Sequence, residues 1–75
     1  MRYYFDLREG DDLSTDEVGL ELADLQAVQE EAGRTLADLA KDHTGLPLAI
    51  EVRDDTGPVL QVRLTFEPSR RQSTD

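Results

Sequence analysis

Carboxylates are the residues of this 75-residue chain best placed to do chemistry. Between Glu9 and Glu31 lie nine acids and no base, whereas the rest of the sequence carries eight of each sign. The net charge of −9 is therefore local in origin. Asp11, Asp12, Asp16 and Glu17 form its densest part. The most specific chemistry for such acids is the calcium loop of an EF-hand, which needs oxygen ligands at positions 1, 3 and 5, glycine at 6 and glutamate at 12. Counting from Asp12 places Ser14 and Asp16 well, but Glu17 takes the glycine place and Ala23 the glutamate place. The motif fails, and weak divalent-cation binding by these four acids stands only as an alternative.

Other reaction classes find less support. His43 is the only histidine, and Ser14 is the only serine before Pro68, with no motif around either. His43 falls on the last turn of an expected helix, where an imidazole helps to satisfy carbonyls and the dipole. There is no cysteine for thiolate chemistry or disulfides. The five glycines are scattered, and none opens a helix as a phosphate loop requires. No catalytic residue and no cofactor is assigned, and the chain reads as a non-enzyme.

Periodicity supplies the elements that would hold these residues. Tyr3, Phe5 and Leu7 alternate with Arg2, Tyr4, Asp6 and Arg8, which predicts a half-buried strand. Residues 9–17 read as an acidic loop in which Leu13 dips toward the core. Val18, Leu20 and Leu22 permit a short second strand. Around Leu25, residues Val28, Ala32, Leu36, Leu39 and Ala40 fall within about 60° on a helical projection. Asp24 suits its N-cap, Glu30 and Arg34 suit an i,i+4 pair, and Gly45 followed by Pro47 supplies its stop. Gly33 lies within this helix, where a close approach to the sheet would explain it. Leu48, Ile50 and Val52, then Leu60, Val62, Leu64 and Phe66, form a predicted hairpin around Asp54–Pro58.

The expected architecture is α+β, a single amphipathic helix on one face of a three- or four-stranded, mainly antiparallel sheet in the order β-(β)-α-β-β. Residues 1–67 form one domain and 68–75 a disordered tail. The opposite sheet face carries Arg2, Tyr4, Asp6, Glu51, Arg53 and their neighbours, polar and mixed in sign. The N-terminus lacks a signal peptide's apolar run, and no stretch approaches the ~20 apolar residues of a membrane span. A cytoplasmic location is expected. The acidic field disfavours nucleic acid and anionic lipid and favours cationic partners.

Arg2-Tyr3-Tyr4-Phe5-Asp6-Leu7-Arg8, Asp16-Glu17-Val18-Gly19-Leu20-Glu21-Leu22 and Ile50-Glu51-Val52-Arg53-Asp54 resemble a family of short bacterial proteins catalogued as a domain of unknown function. The resemblance covers residues 2–67 and implies a compact α+β fold without a mechanism. A looser, fold-level likeness is to antitoxins of the HicB type, which set a helix on a small sheet and neutralise a basic toxin. The reading of the whole is an interaction or regulatory module for a basic protein partner, met through Asp11, Asp12, Asp16, Glu17 and Tyr4. The acids on the first helical turns, Asp24, Glu30 and Glu31, are expected close to that loop. A domain that forms a homodimer is the alternative.

Overall fold

The alternating run at the N-terminus forms β1 (Arg2–Glu9), and its register decides which face of the sheet is dry. In the computed structural model, which describes residues 1–42 and 47–67, five strands and one helix follow the chain order β-β-β-α-β-β. They are β1, β2 (Asp12–Ser14), β3 (Leu20–Glu21), α1 (Leu25–Ala40), β4 (Leu48–Asp54) and β5 (Gly57–Leu64). All pairings are antiparallel, in the order β2-β1-β4-β5, with β3 also on β1. The sheet thus has one strand more than the upper expectation, because the segment before the helix supplies two short strands where one was expected.

β1 and β4 pair with Phe5 opposite Val52 and Leu7 opposite Ile50, while Ile50 and Val52 meet Val62 and Leu60 on β5. These side chains share one face, and α1 lies over β4 and β5 upon it. Val28, Ala32 and Leu36 are the helix residues buried there, against Tyr3, Leu48, Ile50 and Val52. Leu39 and Ala40 are half-buried, but Leu25 is 49% exposed. The apolar stripe therefore begins at Val28, one turn later than the projection gave it.

Local bonds set the ends of the elements. Asp24 has extended backbone and its Oδ1 accepts from Ala27 N–H at 2.9 Å, satisfying a donor that the first helical turn leaves over. Arg34 pairs with Glu31 at 2.7 Å instead of with Glu30, whose carboxylate meets Gln26. At the β4–β5 turn, Asp54 Oδ1 accepts from Thr56 Oγ1, Thr56 N–H and Gly57 N–H. The Thr56 hydroxyl first, then these amides, hold the Asp54 carboxyl below its usual range. A register shift between Val52 and Arg53 leaves Val59 as an extra residue on β5. β5 ends at Leu64, so Phe66 lies beyond the sheet and is exposed. His43, the Gly45 stop and the segment 68–75 lie outside the described residues.

Two expectations fail for clear reasons. Leu13 pairs with Arg8, on the sheet face away from the helix, and is 45% exposed instead of entering the core. Gly33 is exposed, and a Cβ built on it would have no contact within 4 Å, so no close approach requires glycine there. Gly33→Ala is expected to stabilise the protein by about 0.5–1 kcal/mol through helix propensity alone, measured by urea denaturation. Leu36→Asp is expected to unfold it, because an unpaired carboxylate at a buried helix position costs several kcal/mol in a marginal domain. A native-like melting curve for this variant would refute the assigned helix face.

Candidate functional site

The acidic segment is organised by an interruption in the sheet. Ser14 pairs with Leu7 and Leu20 with Tyr3, so residues 15–19 span only the length of Tyr4, Phe5 and Asp6. Five residues against three cannot continue a ladder, and they leave it as an excursion. Phe5 N–H, which points to this edge of β1, would then have no strand to bond. Asp16 Oδ2 takes its place and accepts from Phe5 N–H at 3.1 Å. The other oxygen, Oδ1, accepts from Val18 N–H at 3.0 Å and Gly19 N–H at 3.1 Å, which closes the excursion on itself.

The excursion is also tied to the outer sheet face. Asp16 N–H donates to Asp6 Oδ1 at 2.9 Å. Arg53 bridges the two, its Nε donating to Asp6 Oδ2 at 2.9 Å and its Nη2 to the Asp16 carbonyl at 2.8 Å. The same guanidinium lies 4.6 Å from the centre of the Tyr4 ring, within cation–π range. Arg2 Nη1 donates to the Val18 carbonyl at 2.8 Å. Gly19 then rejoins β3 with φ +79, and a Cβ there would come within 2.9 Å of both Arg2 Cγ and Tyr4 Cε2. Glycine is required here both by the backbone angle and by space.

Covering Asp6 leaves it 7% exposed, a buried acid. Its direct cross-strand neighbour is Glu51, a like charge that would repel it. Each acid is met instead by a diagonal arginine, Asp6 by Arg53 and Glu51 by Arg8 at 2.6 Å. The bond to Asp6 is the main reason that the Arg53 guanidinium is held above its ordinary value, and the bond to Glu51 does the same for Arg8. For Asp16, partial burial pushes the carboxyl up, but the three backbone N–H bonds and Arg53 outweigh it. The net shift is downward.

The five residues singled out as a partner surface therefore divide. Asp16 turns inward and works as the loop's internal acceptor. Tyr4 is half-buried, between the Arg53 guanidinium and Gly19, and is not an open stacking platform. Asp11 and Asp12 lie exposed at the tip of the β1–β2 hairpin, and Glu17 is exposed on the excursion. These three remain available on one edge of the sheet. Asp24, Glu30 and Glu31 do not join them. The hairpin tip follows Glu9, whereas α1 starts beyond β3, which pairs with Arg2 and Tyr3 at the other end of β1. Seven strand steps of about 3.3 Å separate those ends. Sequence reasoning missed Asp6 and Arg53 as anchors. The one local signal was Asp16 three residues before Gly19, a spacing suited to a side-chain-closed turn.

Among the described residues no group of three or more His, Asp or Glu side chains is arranged to hold a metal ion, and no helix is long and apolar enough to cross a membrane. What fold and site define together is a small α+β domain in which an excursion of the acidic edge is tied to a buried carboxylate, Asp6, and a half-exposed arginine, Arg53. The chain belongs to the family described as a domain of unknown function, DUF6894, whose profile matches residues 2–65. No curated protein and no solved structure matches it.

Because the folded-state pKa of Asp16 is lowered, its contribution is complete above the ordinary carboxylate range and is lost as pH falls through the lowered value. Asp16→Asn leaves an amide NH2 facing either Phe5 N–H or the Val18 and Gly19 donors. It is expected to cost about 1–3 kcal/mol at neutral pH, the usual penalty of a stranded donor. The difference from wild type should shrink on acidification. Equal urea midpoints for the two proteins at pH 7 would show that the excursion does not depend on this carboxylate.

Proposed function

We propose that this domain is a non-enzymatic recognition module that meets a basic protein partner along its β2 edge, through Asp11, Asp12 and Glu17. One observation carries the reading: these acids are exposed on backbone that is already fixed, Asp11 and Asp12 by the β1–β2 pairing and Glu17 by the Asp16, Asp6 and Arg53 bonds. A pre-ordered charged edge loses little conformational entropy on binding and raises association rates with an opposite charge. Other acids of the segment are engaged within the fold: Glu21 with the N-terminal amine and Arg2, Asp24 as helix cap, Glu31 with Arg34. HicB-type antitoxins, which neutralise a basic toxin, offer an analogy for such a role. A cytoplasmic, bacterial setting fits the same reading.

The informative variant neutralises Asp11, Asp12 and Glu17 with Asn, Asn and Gln and leaves Asp16 intact, so that surface charge changes without loss of the loop. Wild type and variant are used side by side to enrich binding proteins from a lysate at low and high salt. A basic protein retained by wild type at low salt, and released by salt or by the triple substitution, is the expected outcome. Equal retention by both proteins would reduce the acidic edge to a solubilising surface.

A further inference from the structure

The two edges of the sheet are not alike. On one, β1 is covered by two short strands and an excursion bristling with acids. On the other, β5 runs eight residues with no strand beyond it among the described residues. Native proteins close such edges with short strands, charges, prolines or bulges. β5 has Pro58 and the Val59 bulge at its start only, and Leu60 to Leu64 continue in regular register with β4.

The ladder shows which backbone groups of β5 face outward. Phe5 N–H points away from β4, to Asp16, whereas Gly10 N–H points toward it, to Pro47. Even-numbered residues of β1 therefore bond β4. Alternation then directs Ala49 and Glu51 to β1, and Leu48, Ile50 and Val52 to β5. On β5, Leu60, Val62 and Leu64 bond inward, and Gln61 and Arg63 offer their N–H and C=O groups outward.

We propose that β5 joins two copies of this chain, pairing antiparallel about a two-fold axis at Val62 so that the two sheets continue as one. In that register Gln61 of one copy and Arg63 of the other exchange backbone hydrogen bonds, twice by symmetry. Val62 faces its own copy in the close, non-hydrogen-bonded position, and Leu60 faces Leu64, so apolar side chains meet on the helix side. No like charges oppose one another. A register centred on Arg63 would set two guanidiniums face to face, and one centred on Gln61 would set Arg63 against Val59. Charge also selects the occupant. β5 carries a single charge, positive, in a chain of net charge −9, so two copies repel least at this edge. It lies three strands away from Asp11, Asp12 and Glu17.

Sedimentation of the full chain from micromolar to millimolar concentration is expected to show a reversible dimer. Arg63→Pro removes an outward N–H that the β4 ladder does not use, and should abolish the dimer while the circular dichroism spectrum is kept. Gln61→Lys places a cation opposite Glu51 within the chain and opposite Arg63 of the other copy. It should weaken dimerisation roughly tenfold without lowering the melting temperature of dilute protein. This variant decides the matter if Arg63→Pro fails to fold. In a chain without cysteine, Val62→Cys should form a disulfide-linked dimer on oxidation, and Gln61→Cys should not. A monomer at every concentration overturns the proposal and leaves the edge to a strand of another protein. A dimer indifferent to Gln61→Lys, or cross-linked through Gln61→Cys, overturns it as well.

Discussion

The Asp16 carboxylate does the work of a missing strand. Where the partner of β1 leaves the ladder, a backbone donor at Phe5 must find an acceptor, since an unpaired amide beneath the excursion would cost a large part of a hydrogen bond's full strength. One oxygen of Asp16 satisfies it, and the other gathers Val18 and Gly19. From that single side chain follow the path of residues 15–19, the covering of Asp6, the placing of Arg53 and the need for glycine at position 19. The acidic edge has a defined shape because of this bond set, not because of its charge.

Burial of Asp6 has a consequence for the register of the whole sheet. The pair is only partly out of water, with 40% of the Arg53 side chain exposed against 10% for Asp6, so its net contribution to stability is modest. It is costly, however, to break. With Tyr4 opposite Arg53, Asp6 meets Arg53 and Glu51 meets Arg8 across the two diagonals. A slip of one residue between β1 and β4 would turn Phe5 and Leu7 to solvent and leave Asp6 without its cation. Apolar periodicity forbids odd slips. No buried side-chain nitrogen or oxygen is left without a partner among the described residues.

What was legible in the sequence was what repeats. The alternation of Tyr3, Phe5 and Leu7, the helical spacing of Val28, Ala32 and Leu36, and the hairpin of Ile50, Val52, Leu60 and Val62 each appear where periodicity put them. Residues 9–19 were not legible, because their conformation rests on bonds from Asp16 to Phe5 and Asp6, and from Arg53, which is 37 residues away. Asp6 read as one more polar residue on a wet face, and nothing at its own position announces that a loop will cover it. Leu13 failed in the opposite sense. An isolated leucine in an acidic run suggests an anchor, but pairing with Arg8 fixes its face regardless of its hydrophobicity. Leu25 and Phe66 show the same limit at the ends of their elements, where the pattern continues and the partner surface stops.

The asymmetry between the two edges follows from how each was closed. β1 is guarded by chain that precedes the helix, and that chain is short strand, excursion and acid. These features end pairing locally and repel a second copy of the same edge. β5 arrives last, after a two-residue turn in which Asp54 fixes the start, and its bulge and proline are spent within the first three residues. Beyond them the strand is regular, nearly uncharged and exposed along one line of backbone groups. If two copies pair through β5 as proposed, one repelling edge and one receptive edge let each domain add only a single neighbour, so the sheet would close as a pair and not grow into a fibre. In that arrangement the acidic edges lie at the two outer ends, both open to a cationic partner. The charge that would limit assembly on one side is then the same charge proposed for recognition.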